Sequence, residues 1–413
     1  MKNTLPTGLV LSGGGARAGY QVGVLKAIAQ IRRESFGAMG ELRRRREARD
    51  NPFKIIAGTS AGAVNGVALA CGADDFEHAT GQLVDVWENF HAEQVYRADS
   101  LGIIRSGAGW LTMMSIGWLL NRWRQAMPRS LLDNTPLLEL LRGLMPLERL
   151  PGLMARGHLQ ALAVTASSYS SGTHVSFYQC AEECPSWERT QRIAVRADIT
   201  HAHLLASSAI PFVFPAVQLP LLGGQEYFGD GSMRQVAPLS PAIHLGARRL
   251  VVIGAGRMHE PADQKRVAEG YPSVAQIAGH ALSNIFLDAL AVDVERLQRI
   301  NRTLGLMSPA RLAQTSLKPI DLLVIAPTQR LDDIAARHVG ALPTTIRTLL
   351  GALGVRGEVG DIRGAALASY LLFEAPYTRE LVKLGYDDTM DRRSEVEAFF
   401  GWQSAVTSMS EAG

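Results

Sequence analysis

Residues 8–33 read GLVLSGGGARAGYQVGVLKAIAQIRR, and residues 53–71 read FKIIAGTSAGAVNGVALAC. Each stretch opens on a short apolar run, 8–11 in the first and 53–57 in the second. Each then passes through a glycine turn into a helical pattern. In the first, apolar residues recur at Val22, Leu25, Ile28, Ala29 and Ile31; in the second, small residues fill Ala61 to Cys71. Two strand–turn–helix units in series specify a parallel sheet with helices on its faces. The expected fold class is therefore α/β.

Working outward, further strands are predicted at 160–165 and 173–178. Two more, at 249–253 and 321–325, are β-branched runs of the kind buried in parallel sheets. Helical patterning occupies most of 83–145 and then 273–304, 330–350, 364–385 and 391–406, while 200–235 reads as rich in loops. No internal repeat or flexible linker interrupts the chain. Strands stop near residue 330, which divides an α/β domain at 5–330 from a helical C-terminal extension at 331–413, expected to pack on the core.

Composition excludes several classes. Of 413 residues, 47% are hydrophobic and 20% charged, which rules out a disordered, solvating chain. Lys and Arg number 42 against 39 Asp and Glu, and a net charge of +3 gives no case for nucleic acid as a partner. Three cysteines, Cys71, Cys180 and Cys184, are too few and too uneven for a disulfide framework, so a reducing, cytoplasmic setting is expected. Cys180 and Cys184 lack a second Cys/His pair at zinc-site spacing, and the expectation is neither metal nor cofactor. The apolar run at the N-terminus is shorter than a secretory core, and the uncharged run 199–225 carries Pro211, Pro215 and Pro220. No spanning helix is expected.

The turn Gly13-Gly14-Gly15-Ala16-Arg17-Ala18-Gly19 points N–H groups outward at the positive end of a helix. Three ligands suit it. Gly13, Gly15 and Ala18 match a dinucleotide fingerprint, but an arginine-rich connector, 41–50, stands where the acidic partner belongs. Gly14 and Gly19 have phosphate-loop spacing, but Tyr20 and Gln21 replace the Lys and Ser/Thr. The third ligand is a developing oxyanion. A tight turn with no ligand also accounts for these glycines.

Gly58-Thr59-Ser60-Ala61-Gly62 places a serine between strand and helix in the G-x-S-x-G pattern of a nucleophile elbow. A serine needs a base within hydrogen-bond reach. No histidine after Ser60 stands in a convincing catalytic loop. Asp230, between Gly229 and Gly231 and after Tyr227-Phe228, is a carboxylate that can approach another backbone closely; an Asp-Gly turn between strands explains it equally.

Taken together, these pieces resemble the patatin-like phospholipase family. The resemblance rests on Gly13-Gly14-Gly15-Ala16-Arg17 after the first strand, Gly58 to Gly62 about forty residues later, and Asp230-Gly231. The small-residue and proline segment from Ala206 to Pro215 is similar as well. The resemblance implies a three-layer α/β/α fold with a mainly parallel central sheet. It implies a serine hydrolase of lipid acyl esters, of phospholipase A or lysophospholipase type, with Ser60 as nucleophile and Asp230 as base. It further implies that Gly13, Gly14, Gly15 and Arg17 make or support an oxyanion hole, and that no metal takes part. This sequence departs from the family's pattern at Ala18, where a glycine often follows the arginine, and at Ser232, where glycine or alanine is usual. A catalytically silent lipid-binding scaffold and, less favoured, a dinucleotide-binding protein are the alternatives.

Residues 106–127 hold Trp110, Trp118, Trp123 and several Leu, Ile and Met, edged by Arg105, Arg122, Arg124 and Arg129. Such a segment suits a peripheral membrane contact in the headgroup region. It suits a buried helix as well, and both readings stay open.

Overall fold

The computed structural model describes residues 5–36, 50–97, 130–258, 274–352 and 364–402. Ten strands form one sheet: β1 (Thr7–Leu11), β2 (Ile55–Thr59), β3 (Ala161–Ser168), β4 (His174–Cys180), β5 (Glu188–Arg189), β6 (Arg192–Arg196), β7 (Val217–Leu221), β8 (Gly224–Asp230), β9 (Arg249–Ile253) and β10 (Asp321–Ile325). Their order is β10-β9-β1-β2-β3-β4-β6-β5, and the first five in that order run parallel. β4 turns back antiparallel to β3, which gives the sheet its mixed edge.

Alternation along the strands builds the layers. Leu9, Leu11, Ile56, Val251 and Ile253 pack into a core on one face with α1 (Gly19–Ser35), α2 (Ala61–Cys71) and α3 (Phe76–Glu88). Val10, Ile55, Ala57, Leu250 and Val252 point the other way, onto Leu290, Val294 and Leu297 of a helix spanning Ala289–Gly305. A strand buried on both faces reads as a continuous apolar run, as β9 does, and β10 at the sheet's edge keeps such a run although one of its faces is only half-buried. The result is a three-layer α/β/α arrangement.

The stretch expected to be rich in loops, 200–235, carries regular structure as well. It holds α4 (His201–Ser207) and the hairpin β7–β8. Pro220 and the polar Gln218, Gln225 and Glu226 disguise the hairpin; Pro is tolerated because β7 pairs with β8 alone and is an edge.

By length and composition one helix among the described residues, Gln276–Gly305, is apolar enough to cross a membrane, which the sequence reading did not single out. Its buried Leu290, Val294 and Leu297 lie against the sheet, and Asp293 accepts a hydrogen bond from the Leu239 N–H. Residues Asn284–Asp288 within it form a π-helical turn.

Past β10 come α5 (Leu331–His338), α6 (Ala365–Leu371) and α7 (Ala375–Met390). α7 packs along α1, and the Tyr20 hydroxyl donates to Asp388 at 3.0 Å.

Candidate active site

Register brings the site together. β2 pairs with β3 up to Thr59 opposite Thr165, and β8 pairs with β3 from Asp230 opposite Ala166. The other side of β3 is taken by β4 as far as Ser167 opposite His174. β2 and β8 therefore occupy the same side of β3, end to end. Ser60 follows the last residue of one strand and Asp230 is the last residue of the other.

Ser60 has φ 56° and ψ −132°, a conformation that L residues with a side chain rarely adopt. The strain aims the side chain away from the turn, as an elbow requires. The elbow tolerates no bulk beneath it. A Cβ on Gly58 would stand 2.5 Å from the Ala63 Cα, and one on Gly62 2.4 Å from the Ser12 carbonyl oxygen. These two glycines are there so that α2 can leave directly over the ends of β1 and β2.

The Ser60 Oγ–H donates to Asp230 Oδ2 at 2.6 Å. The other carboxylate oxygen, Oδ1, accepts from the Ser232 N–H at 2.9 Å. Asp230 is 0% exposed and Ser60 1%. Burial pushes the Asp230 carboxyl up to about 6, against the opposing pull of hydrogen bonds from Ser60 and Ser232. The group is thus a stronger base than a solvated carboxylate, yet still ionised at neutral pH.

Histidine chemistry lies elsewhere. Among the described residues no histidine hydrogen-bonds Ser60. His203 is committed to the N-terminus of α4, where Nδ1 accepts from the Thr200 N–H at 3.1 Å. His174 is buried, its pKa lowered to about 4 chiefly by desolvation, and its ring bonds the Gly231 backbone beside Asp230.

The glycine turn sits against Ser60. A Cβ on Gly13 would come 3.2 Å from the Ser60 Cβ, so the backbone there faces the serine directly. Gly15 lines the same cavity as Ser60. A buried polar chain braces the turn: Trp87 Nε1 donates to Asn65 Oδ1, Asn65 Nδ2 to Gln21 Oε1, and Gln21 Nε2 to the Ser12 carbonyl. Arg17 is different. Its N–H donates to the Gly14 carbonyl at 3.2 Å, and its side chain turns away into the C-terminal helices. Its part in the turn is support from behind, not a donor facing the serine.

A cavity of about 130 Å³ opens from Ser60. Val64 and Ala68 follow Ser60 at one-turn spacing along α2 and line it, joined by Leu83, Trp87, Leu137 and Phe373. The described walls are mostly apolar.

Several contacts at the site were not read from the sequence, although Ser207 lies in the Ala206–Pro215 segment that carried part of the resemblance. Ser207 Oγ accepts the Ser60 N–H at 2.8 Å, and Gln235 Nε2 donates to Thr59 Oγ1 at 2.7 Å. Phe373 reaches the cavity from the far end of the chain. The tryptophan-rich segment 106–127 and residues 41–49 of the arginine-rich connector lie outside the described residues. The chain flanking 98–129 is tied at its base, where the Arg97 N–H donates to the Asp133 carbonyl and the Leu131 N–H donates to the Phe212 carbonyl.

The sequence profile of the patatin-like phospholipase family matches residues 9–243. Among solved structures the chain is similar to VipD from Legionella pneumophila, at 14% identity and a TM-score of 0.29, with 95% of this chain and 67% of that chain covered. It is similar also to the type III effector protein ExoU, at 16% identity and a TM-score of 0.25, covering 87% of this chain and 78% of that one. No curated protein matches it.

Proposed function

From the premise that the chain belongs to the patatin-like phospholipase family, we propose that it is a serine lipid acyl hydrolase that works through Ser60 and Asp230. The hydrogen bond of 2.6 Å between Ser60 Oγ and Asp230 Oδ2, at a strained elbow opening on an apolar cavity, is the observation that carries this reading.

In this mechanism Asp230 takes the hydroxyl proton as Ser60 Oγ forms a bond to the ester carbonyl carbon. The carbonyl electrons move onto oxygen, and the backbone N–H groups of the Gly13–Gly15 turn face that charge. Collapse of the tetrahedral intermediate breaks the ester C–O bond, and the departing alcohol oxygen receives the proton from Asp230. A water molecule then gives its proton to Asp230 while attacking the acyl-enzyme, and Ser60 recovers the proton as the fatty acid leaves. No histidine is needed, because burial has already raised the carboxylate's basicity.

The cavity suits the acyl chain. Among the described residues that line it, the polar side chains are those of Ser60, Asn65, Gln82 and Ser208, so the polar part of the substrate would remain outside. The proposal extends to segment 106–127, whose tryptophans and flanking arginines would rest in the lipid headgroup region and bring the site to its substrate.

Labelling with a fluorophosphonate probe tests the reading. The wild-type chain should take one label, Ser60→Ala none, and purified protein should release fatty acid from a panel of phospholipids and lysophospholipids. Phospholipid binding without label or release would leave a lipid-binding scaffold in its place.

A further inference from the structure

The family match ends at residue 243, yet the glycine turn is held by side chains far beyond it. Arg17 Nε donates to Ser369 Oγ at 2.8 Å, and Nη2 pairs with the Asp332 carboxylate and donates to the Ala366 carbonyl at 3.3 Å. Its guanidinium lies 4.0 Å over the Tyr370 ring. The Ser369 hydroxyl donates to the Ala366 carbonyl at 2.6 Å, so its oxygen lone pairs are available to accept from Arg17. Arg17's side chain is 3% exposed, and Asp332's is 31% exposed.

The contact reaches the turn itself. Gly15 has φ +55°, and a Cβ there would stand 2.3 Å from the Tyr370 carbonyl oxygen. The backbone of α6 therefore lies against the backbone that faces the serine. Phe286, on the π-helical turn, packs on Tyr370 with ring centroids 5.0 Å apart and touches the position of a Gly13 Cβ at 3.0 Å. A π turn at this point shifts the helix face by one residue, a device common beside functional sites. Arg17 is thus a strut between the glycine turn and α5 and α6.

We propose that Asp332 and Ser369 are positioning residues: by fixing Arg17 they keep the Gly13–Gly15 backbone aimed at the oxyanion formed on Ser60. The inference rests on the reading of Ser60 as nucleophile. A purely cementing role, in which the pair only glues the C-terminal helices to the core, makes a different prediction. Cement changes how many molecules are folded, whereas positioning changes how fast each folded molecule turns over.

The test uses the full chain with Asp332→Asn and, separately, Ser369→Ala, a soluble short-chain ester, and fluorophosphonate titration carried to its end point. The titration counts intact sites. Loss of one oxyanion donor costs about 10²–10³ in rate, so a misaimed turn should lower turnover per labelled site about tenfold in Asp332→Asn and severalfold in Ser369→Ala. KM should move less than about twofold, since ground-state binding is not at stake. Asp332→Glu, which keeps the charge, should recover part of the loss. If Asp332→Asn does not fold, Ser369→Ala carries the same comparison. Unchanged turnover per labelled site in the folded variants overturns the inference alone. A wild-type chain that takes no label overturns the hydrolase reading and this inference with it.

Discussion

Ser60 and Asp230 meet because β2 and β8, which never pair with each other, end head to head beside β3. The single strand β3 gauges the distance between them. A slip of one residue in the β8 register would move Asp230 by about 3.3 Å and turn its side chain to the opposite face. The antiparallel hairpin is what delivers the carboxylate from the direction opposite to the serine.

Replacing Asp230 by Asn should separate activity from stability. The amide keeps an acceptor for the Ser232 N–H and offers a donor to Ser60, but it takes no proton. Ester hydrolysis should fall by about 10²–10⁴. Retention of more than half the wild-type rate would show that Asp230 is not the base.

The same variant should melt higher than wild type at pH 7 to 8. The folded-state pKa of about 6 lies above the ordinary 3.8, so this group's favourable contribution is complete below about pH 4 and is lost as pH rises through about 6. Near neutrality the buried charge costs stability, and Asn removes that cost. The melting-temperature gain should shrink toward zero by pH 4; a gain that stays constant with pH would contradict the assignment of burial as its cause.

Activity should follow the same titration. On a soluble ester, kcat/KM of wild type should climb with pH through about 6 and then level off, since the ionised carboxylate is the active form. A midpoint near pH 4, as for a solvated carboxylate, would mean that Asp230 is hydrated in the working enzyme.

Ala68→Phe probes the cavity. Ala68 lines it two turns along α2 from Ser60, so an added ring should block the deeper part while leaving the serine open. Hydrolysis of long-chain esters should drop about tenfold or more relative to a short-chain ester. An equal loss on both would place the acyl chain elsewhere.

Trp110→Ala combined with Trp118→Ala tests the proposed membrane contact. Co-sedimentation with anionic phospholipid vesicles and activity on bilayers should both fall, with the short-chain ester rate unchanged. Equal loss of both activities, or unfolding, would mark the segment as core.

Legibility in the sequence follows contiguity. The units around Gly13 and Ser60 announce themselves because strand, turn and helix are consecutive there, and the glycines answer to local close approaches. β7 and β8 do not, since an edge hairpin needs no apolar run and tolerates Pro220. The nearness of Asp230 to Ser60 is invisible to periodicity, because it depends on where two separate strands stop along a third; only the family resemblance pointed to it. Asn65 and Gln21 read as ordinary helical polar residues, though both are fully buried. Arg17 was expected to make or support the oxyanion hole, and nothing near it in sequence tells that its partners lie at Asp332 and Ser369.

Those partners are 315 and 352 residues away along the chain. Synthesis runs from the N-terminus, so the elbow and the carboxylate are in place long before the helices that brace the glycine turn have been made. A nascent or truncated chain ending before α5 would contain both reacting side chains and still lack the strut. Under the proposed strut, the glycine turn gains its brace only once residues 331–371 have been added, so the aim of its backbone is set later in synthesis than the two side chains it serves.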